Sequence, residues 1–281
     1  MSYSAVISRD NPVCLIFLVD QSHSMSQPFG LQPQQRKADG VADAINKLLQ
    51  TICIKCSKQG GVREYFQVGV IGYGARVASA LGGALAGEGL VSIDKIARNP
   101  LRVETRIKKE PDGAGGLVER LSKFPIWFEP VANGRTPMKS AFELARGWVA
   151  GFLKSHPHCY PPLVFNLTDG AADPDQEPTD VVAGLRQLSS TDGATLVLNL
   201  HISSRKDAPI MFPDREDNLP DEFARRLFRM SSVLPESIVD TAVSEGIPIQ
   251  HGARGFGFNA DLVAVIQFLE IGTRQVMNAR I

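Results

Sequence analysis

The sequence predicts a doubly wound α/β fold, a mostly parallel sheet with helices on both faces, and three observations carry that expectation. Val13 to Val19, Pro162 to Leu167 and Thr195 to Ile202 are largely apolar runs bounded by proline or polar residues, the pattern of strands buried on both faces. Segments with apolar residues at three- and four-residue steps lie between and around them, so strands alternate with helices. Two of the runs stop on a carboxylate, Asp20 and Asp169. In open α/β sheets the carboxyl ends of the strands face the crevice where ligands bind, so these two residues point to a site.

In chain order, the opening run ends in Asp20-Gln21-Ser22-His23-Ser24, and Ser26 to Gln35, with Pro28, Gly30 and Pro33, has a loop composition. From Lys37 to about Cys56 the apolar positions Val41, Ala44, Ile45, Leu48, Leu49 and Ile52 give one helical face, closed by Gly60-Gly61. Tyr65 to Tyr73 reads as a strand, and Arg76 to Leu81 as a second joined to it around Gly74, an antiparallel edge. The stretch from about 82 to 116 is glycine-rich at both ends. Its alternating segment Leu101 to Ile107 reads as an exposed hairpin strand paired near Leu90 to Ile93, carried as an insertion on one domain spanning 1–281. Leu117 to Phe124 reads as a short helix and Ile126 to Phe128 as a short extended piece.

Thr136 precedes the helix Pro137 to His156 as its candidate N-cap, with Met138, Ala141, Phe142, Ala145, Trp148 and Phe152 as the apolar stripe. Thr168-Asp169-Gly170 follows the second buried run, and Asp-Gly is by itself a common turn signal. Helices are expected at Thr179 to Leu188, Phe223 to Met230, Pro235 to Glu245 and Asp261 to Ile271, with Ile247 to Ile249 extended. Asp214, Glu216, Asp217, Asp221 and Glu222 read as a solvated acidic stretch, and Gly252 to Gly257 as a connection to the last helix.

Composition removes several classes. The 281 residues carry 30 basic and 30 acidic side chains, a formal charge of zero that argues against a polybasic nucleic-acid or membrane surface. The N-terminus lacks a charged start followed by an apolar stretch, and no apolar run approaches the ~18 residues of a membrane span. Four cysteines in a chain this long form no disulfide framework, so a reducing, cytoplasmic setting is expected.

Asp20, Ser22 and Ser24 offer only oxygen, the preference of Mg²⁺, Mn²⁺ or Ca²⁺. Taken with Gly134-Arg135-Thr136-Pro137 before a helix and Thr168-Asp169-Gly170 after a buried strand, the Asp20-x-Ser22-x-Ser24 motif resembles that of the von Willebrand factor A domain family. The resemblance covers most of the chain. It implies a Rossmann-like fold and a complete metal-ion-dependent adhesion site at Asp20, Ser22, Ser24, Thr136 and Asp169, usually holding Mg²⁺. It also implies a non-catalytic interaction module whose ion takes a Glu or Asp from a partner protein. Stand-alone members of this kind are often prokaryotic and linked with kinases, phosphatases or AAA+ ATPases, which implies a signalling or assembly adaptor. The spacing between Ser24 and Thr136 is long for the family, the 82–116 segment accounts for it, and His23 stands where many members have a small residue.

The rival class is a Mg²⁺-dependent phosphohydrolase, since a metal at a strand's carboxyl end also serves such enzymes. A haloacid-dehalogenase-like phosphatase carries a second Asp two residues after its nucleophile, where this chain has Ser22. No Gly-x-Ser-x-Gly turn is present, and Gly72-Tyr73-Gly74 lacks the third glycine of a nucleotide loop. Cys53-Ile54-Lys55-Cys56 has zinc-like spacing, and His156, His158 and Cys159 add potential ligands. Cys53 and Cys56 sit in the last turns of a helix, where small apolar residues pack. His201, at a strand end, reads as a core or rim histidine.

Overall fold

In a computed structural model, residues 3–29, 32–111, 117–202, 208–244 and 246–278 are described. The elements in order are β1 (Val13–Asp20), the hairpin β2 (Pro28–Phe29) and β3 (Gln32–Arg36), α1 (Lys37–Cys56), the small pair β4 (Ser57–Lys58) and β5 (Gly61–Val62), β6 (Phe66–Tyr73) and β7 (Val77–Ser79). They continue with β8 (Val91–Ser92), α2 (Ile93–Arg98), β9 (Arg102–Pro111), β10 (Leu117–Ile126), α3 (Met138–Ser155), β11 (Leu163–Thr168), α4 (Thr179–Gln187) and β12 (Leu196–Ile202). β13 (Ile210–Met211), α5 (Glu222–Met230), α6 (Glu236–Ser244), β14 (Phe256–Ala260) and α7 (Leu262–Asn278) complete the chain.

The main sheet runs β13-β14-β12-β11-β1-β6-β7, with β8 also on β6. β14, β12, β11, β1 and β6 are mutually parallel, whereas β13, β7 and β8 pair antiparallel at the two margins. This is the doubly wound, mostly parallel α/β fold that the buried runs predict. Every residue of β1 is buried, and its side chains divide by strand alternation. Val13, Leu15, Phe17 and Val19 enter the core beneath α1, α6 and α7, while Cys14, Ile16 and Leu18 enter the core beneath α3, α4 and α5. After β1 the chain crosses one face through α1 to reach β6, then crosses the other through α3 to reach β11. The order therefore reverses at β1, and the carboxyl end of β1 is the topological switch point where a crevice opens.

Four elements differ from expectation. β9 pairs with β10 in antiparallel register, Ile107 opposite Leu121, so Leu117 to Phe124 is a strand and Leu90 to Ile93 is not the hairpin's partner. Val91 and Ser92 join β6 instead, and Ile93 begins a helix. The Leu117, Leu121, Phe124 spacing suits a helix, but ten residues of cross-strand pairing override a local preference. Ser26 to Gln35 contains the short β2–β3 hairpin rather than only loop. Pro137, not Thr136, occupies the N-cap position of α3, and Val149 joins its buried stripe, with Trp148 partly buried against the same core.

The fourth difference is β14, which lies where a connection is expected, while Ile247 to Ile249 forms no strand. Its Gly257 is a packing requirement: a Cβ there would stand 2.4 Å from Leu200 Cδ1 and 3.0 Å from Met211 Sδ. The acidic stretch is not merely solvated, since Asp221 caps α5 by accepting from Ala224 N–H at 2.8 Å and Glu216 pairs with Arg229 at 2.8 Å. Among the described residues no helix is long and apolar enough to cross a membrane.

Candidate metal centre

The apolar run of β1 ends by delivering Asp20, fully buried, to the switch point. Its Oδ1 accepts the Ser22 backbone N–H at 2.8 Å, a local turn that points the chain away from the sheet into the 3₁₀ turn His23–Ser26. Its Oδ2 accepts the Thr168 hydroxyl at 2.8 Å, across from the end of β11. The Ser24 hydroxyl donates to Asp169 Oδ1 at 2.7 Å, and Ser22 Oγ lies 2.9 Å from Ser24 Oγ. With its proton committed to Asp169, Ser24 accepts from Ser22. Asp20, Ser22, Ser24 and Asp169 thus form one hydrogen-bonded set at the ends of β1 and β11.

Thr136 reaches the same region on a separate loop. The Gly134 carbonyl accepts from His23 N–H at 3.0 Å, and Asn133 N–H donates to the Gln21 carbonyl at 2.6 Å, so the loop is laced to the residues just after β1. Gly134 has φ +97°, and a Cβ there would meet Ala75 N at 2.2 Å; only glycine permits this approach. Thr136 N–H donates to Asp173 Oδ2 at 3.1 Å, which fixes the threonine against the segment after Asp169. The structure joins Thr136 to the set through the backbone of its loop, without a hydrogen bond from its hydroxyl to the other four residues. His23 is exposed and contributes only its N–H to this lacing.

A residue outside the motif completes the arrangement. Lys37, the first residue of α1, extends its ammonium to Asp169 Oδ2 at 2.8 Å and to Gln27 Oε1 at 3.1 Å. The Lys37 side chain is 4% exposed and that of Asp169 is 0%. The sequence carries one signal of this, a lysine in the first helical turn, where the macrodipole favours an anion. Thr168, present in the sequence motif but not among its expected ligands, is a second participant through its hydroxyl bond to Asp20.

Electrostatically the two carboxylates differ. Asp169 has an ammonium, whereas the partners of Asp20 are neutral donors from Ser22 and Thr168. Burial, abetted by the charge of Asp169, pushes Asp20 up to about 6. A buried carboxylate so displaced is one that a nearby cation would restore to its charged form. His201, next to last in β12 and paired with Thr168, lies beside this region, stacked on Phe258 at 4.4 Å and accepting Asn259 N–H at its Nδ1. Burial takes it down to about 4, so it is neutral at pH 7. Beneath the site Tyr73 donates to Asn166, Asn166 to Asn199 and Asn199 to Ser231, at 2.7, 3.0 and 3.0 Å, a satisfied polar chain between the sheet and α5.

Among the described residues no three His, Cys, Asp or Glu side chains converge as a metal cluster. The set at β1 is of another kind, two carboxylates with hydroxyls, and its all-oxygen chemistry fits a hard divalent cation. The cysteines and histidines with zinc-like spacing are dispersed. Cys53 and Cys56 are buried on α1, Cys159 lies near Cys14, His156 stacks on Phe152 at 4.5 Å, and His158 bonds Thr191 at 3.2 Å. A groove of about 750 Å³ begins at Gln21, next to Asp20, and is lined further by Arg76, Ser79, Glu129 and Asn133.

No protein-family model matches the sequence, and no curated protein matches it. Solved structures do. The manganese-loaded TRAP protein of Plasmodium vivax is similar over 96% of this chain and 75% of its own, at 12% identity and a TM-score of 0.46. Proximal thread matrix protein 1 from the mussel byssus is similar over 98% of this chain and 48% of its own, at 13% identity and a TM-score of 0.47. A von Willebrand factor type A structure from Catenulispora acidiphila is similar over 93% of this chain and 42% of its own, at 11% identity and a TM-score of 0.45. The chain spans less than half the length of the latter two.

Proposed function

We propose that this chain is a non-catalytic, divalent-cation-dependent protein-interaction module. Asp20, Ser22, Ser24, Thr136 and Asp169 hold Mg²⁺, with Mn²⁺ or Ca²⁺ as substitutes, and the ligand is an acidic residue of a partner protein. The observation that carries this reading is the buried oxygen set at the switch point, where Asp20 has only neutral partners. Bound there, the ion supplies an electrophilic centre for a Glu or Asp carboxylate. Asp20 and Asp169 supply the charge that balances a divalent ion, and the Ser22 and Ser24 hydroxyls supply neutral oxygens. The lacing of the 133–136 loop to Gln21 and His23 keeps Thr136 at the rim. The groove that begins at Gln21 gives a partner segment a place to lie beside the site.

The cellular role that accompanies this reading is a cytoplasmic signalling or assembly adaptor serving a kinase, a phosphatase or an AAA+ ATPase. Affinity capture tests it, using wild-type protein and the Asp20→Ala, Ser22→Ala double variant, each in Mg²⁺ and in EDTA. Proteins retained only by the wild type in Mg²⁺ are the expected result; an identical set under all four conditions would overturn it. The phosphohydrolase reading makes a different demand, metal-dependent turnover of a generic phosphate ester that disappears in Asp20→Asn. No such turnover is expected from a chain with Ser22 two residues after Asp20.

A further inference from the structure

The ammonium of Lys37 occupies a place that the proposed function leaves unexplained. Lysine is rarely buried, and at the first turn of α1 it faces the positive end of the helix dipole. A buried ion pair is also weak evidence for stability, because desolvating both charges offsets their attraction. The pair is nevertheless built with care. Lys37 donates to Asp169 Oδ2 at 2.8 Å and to Gln27 Oε1 at 3.1 Å, while its backbone N–H donates to the Gln27 carbonyl at 3.0 Å. Since Ser24 takes Asp169 Oδ1, both carboxylate oxygens of Asp169 are engaged, and the one facing Lys37 already has a full positive charge against it.

We infer that Lys37 is an affinity-setting residue of the cation site: a tethered monovalent cation that holds Asp169 when no divalent ion is present and is displaced from it when one binds. This rests on the proposed function in that it takes Asp169 as a ligand of the ion. A divalent ion and an ammonium seek the same buried carboxylate oxygen, and two positive charges on one oxygen repel across a region of low dielectric. Lys37 therefore weakens ion binding, and the free protein keeps one of its two buried carboxylates neutralised. Gln27, which the ammonium also grips, borders the β2–β3 hairpin at Pro28. Release of Lys37 thus loosens the link between the site and that hairpin, a local charge event read out at a neighbouring element.

Two measurements decide it. Mn²⁺ binding is followed by isothermal titration and by electron paramagnetic resonance for the wild type and for Lys37→Met, which keeps an unbranched side chain only one heavy atom shorter and removes the charge. Lys37→Met is expected to bind Mn²⁺ at least about tenfold more tightly, about 1.4 kcal/mol. Equal or weaker binding overturns the inference and leaves the proposed function standing, whereas no binding by either protein overturns both. The second measurement uses wild-type protein alone and so survives a variant that fails to fold. Lysine acetylation by acetic anhydride is quantified by peptide mass spectrometry with and without saturating Mn²⁺, with the exposed Lys154 as internal reference. Labelling of Lys37 is expected to rise severalfold with the ion; unchanged or reduced labelling overturns the inference.

Discussion

Asp20 concentrates the physical tension of this molecule. In the absence of a cation its carboxyl is held at about 6 in the folded chain against 3.8 as the reference value. Below 3.8 the group is protonated in both states, and above 6 it is ionised in both. Between them the folded state binds the extra proton, so the stability it contributes is lost as pH rises through 6. A shift of two units is on the order of 3 kcal/mol. In Asp20→Asn that loss is absent, so in EDTA the variant should gain on the wild type as pH rises from about 4 to about 7.5. Urea midpoints at the two pH values check this, and a constant gap would contradict it. The positions of Asp20, Ser22, Ser24, Thr136 and Asp169 are legible in the sequence because each stands at the end of a strongly patterned run. The roles of Lys37 and Thr168 are not: the lysine is marked only by its unfavourable place in the first turn of a helix, and the threonine only as part of the turn at the end of β11, and neither pattern names the carboxylate that the side chain meets across the fold.

Among the elements, β1 and the helices around it follow directly from apolar periodicity, because burial on both faces leaves the sequence little freedom. The β9–β10 hairpin is different. Its outward side chains Val103, Ile107 and Leu121 are exposed, and its inward Phe124 and Ile126 are buried, with the Arg106 guanidinium 3.8 Å over the Phe124 ring. Alternation identifies β9 as a strand, but only its pairing identifies β10 as one. β14 is hidden for a related reason, since its glycine is selected by the Leu200 and Met211 side chains pressing on it rather than by any turn. The hairpin's exit is anchored by the buried Asn46 of α1, which accepts Trp127 N–H at 2.9 Å and Phe128 N–H at 3.1 Å and donates to the Phe128 carbonyl at 2.8 Å. Asn46→Ala leaves three buried backbone groups without that partner and should cost about 3 kcal/mol in chemical denaturation. A loss under about 1 kcal/mol would show that the anchor is replaceable.

The whole molecule is organised so that a sheet with two separate cores delivers its two strand-end carboxylates to one switch point. Both cores share β1, and a core on one face cannot be lost without exposing the strand that serves the other. Residues 1–281 are accordingly expected to unfold as one domain, with calorimetric and van't Hoff enthalpies in agreement; two separated transitions would assign the hairpin region or the C-terminal helices to a unit of their own. The central claim is that the oxygen set of Asp20, Ser22, Ser24, Thr136 and Asp169 holds a divalent cation. Titrating purified, metal-free wild-type protein with Mg²⁺ and with Mn²⁺ in a calorimeter, beside the Asp20→Ala, Ser22→Ala variant, tests it most directly. One ion per chain, bound by the wild type and lost in the variant, is the predicted result; no binding by the wild type, or undiminished binding by a folded variant, would contradict it.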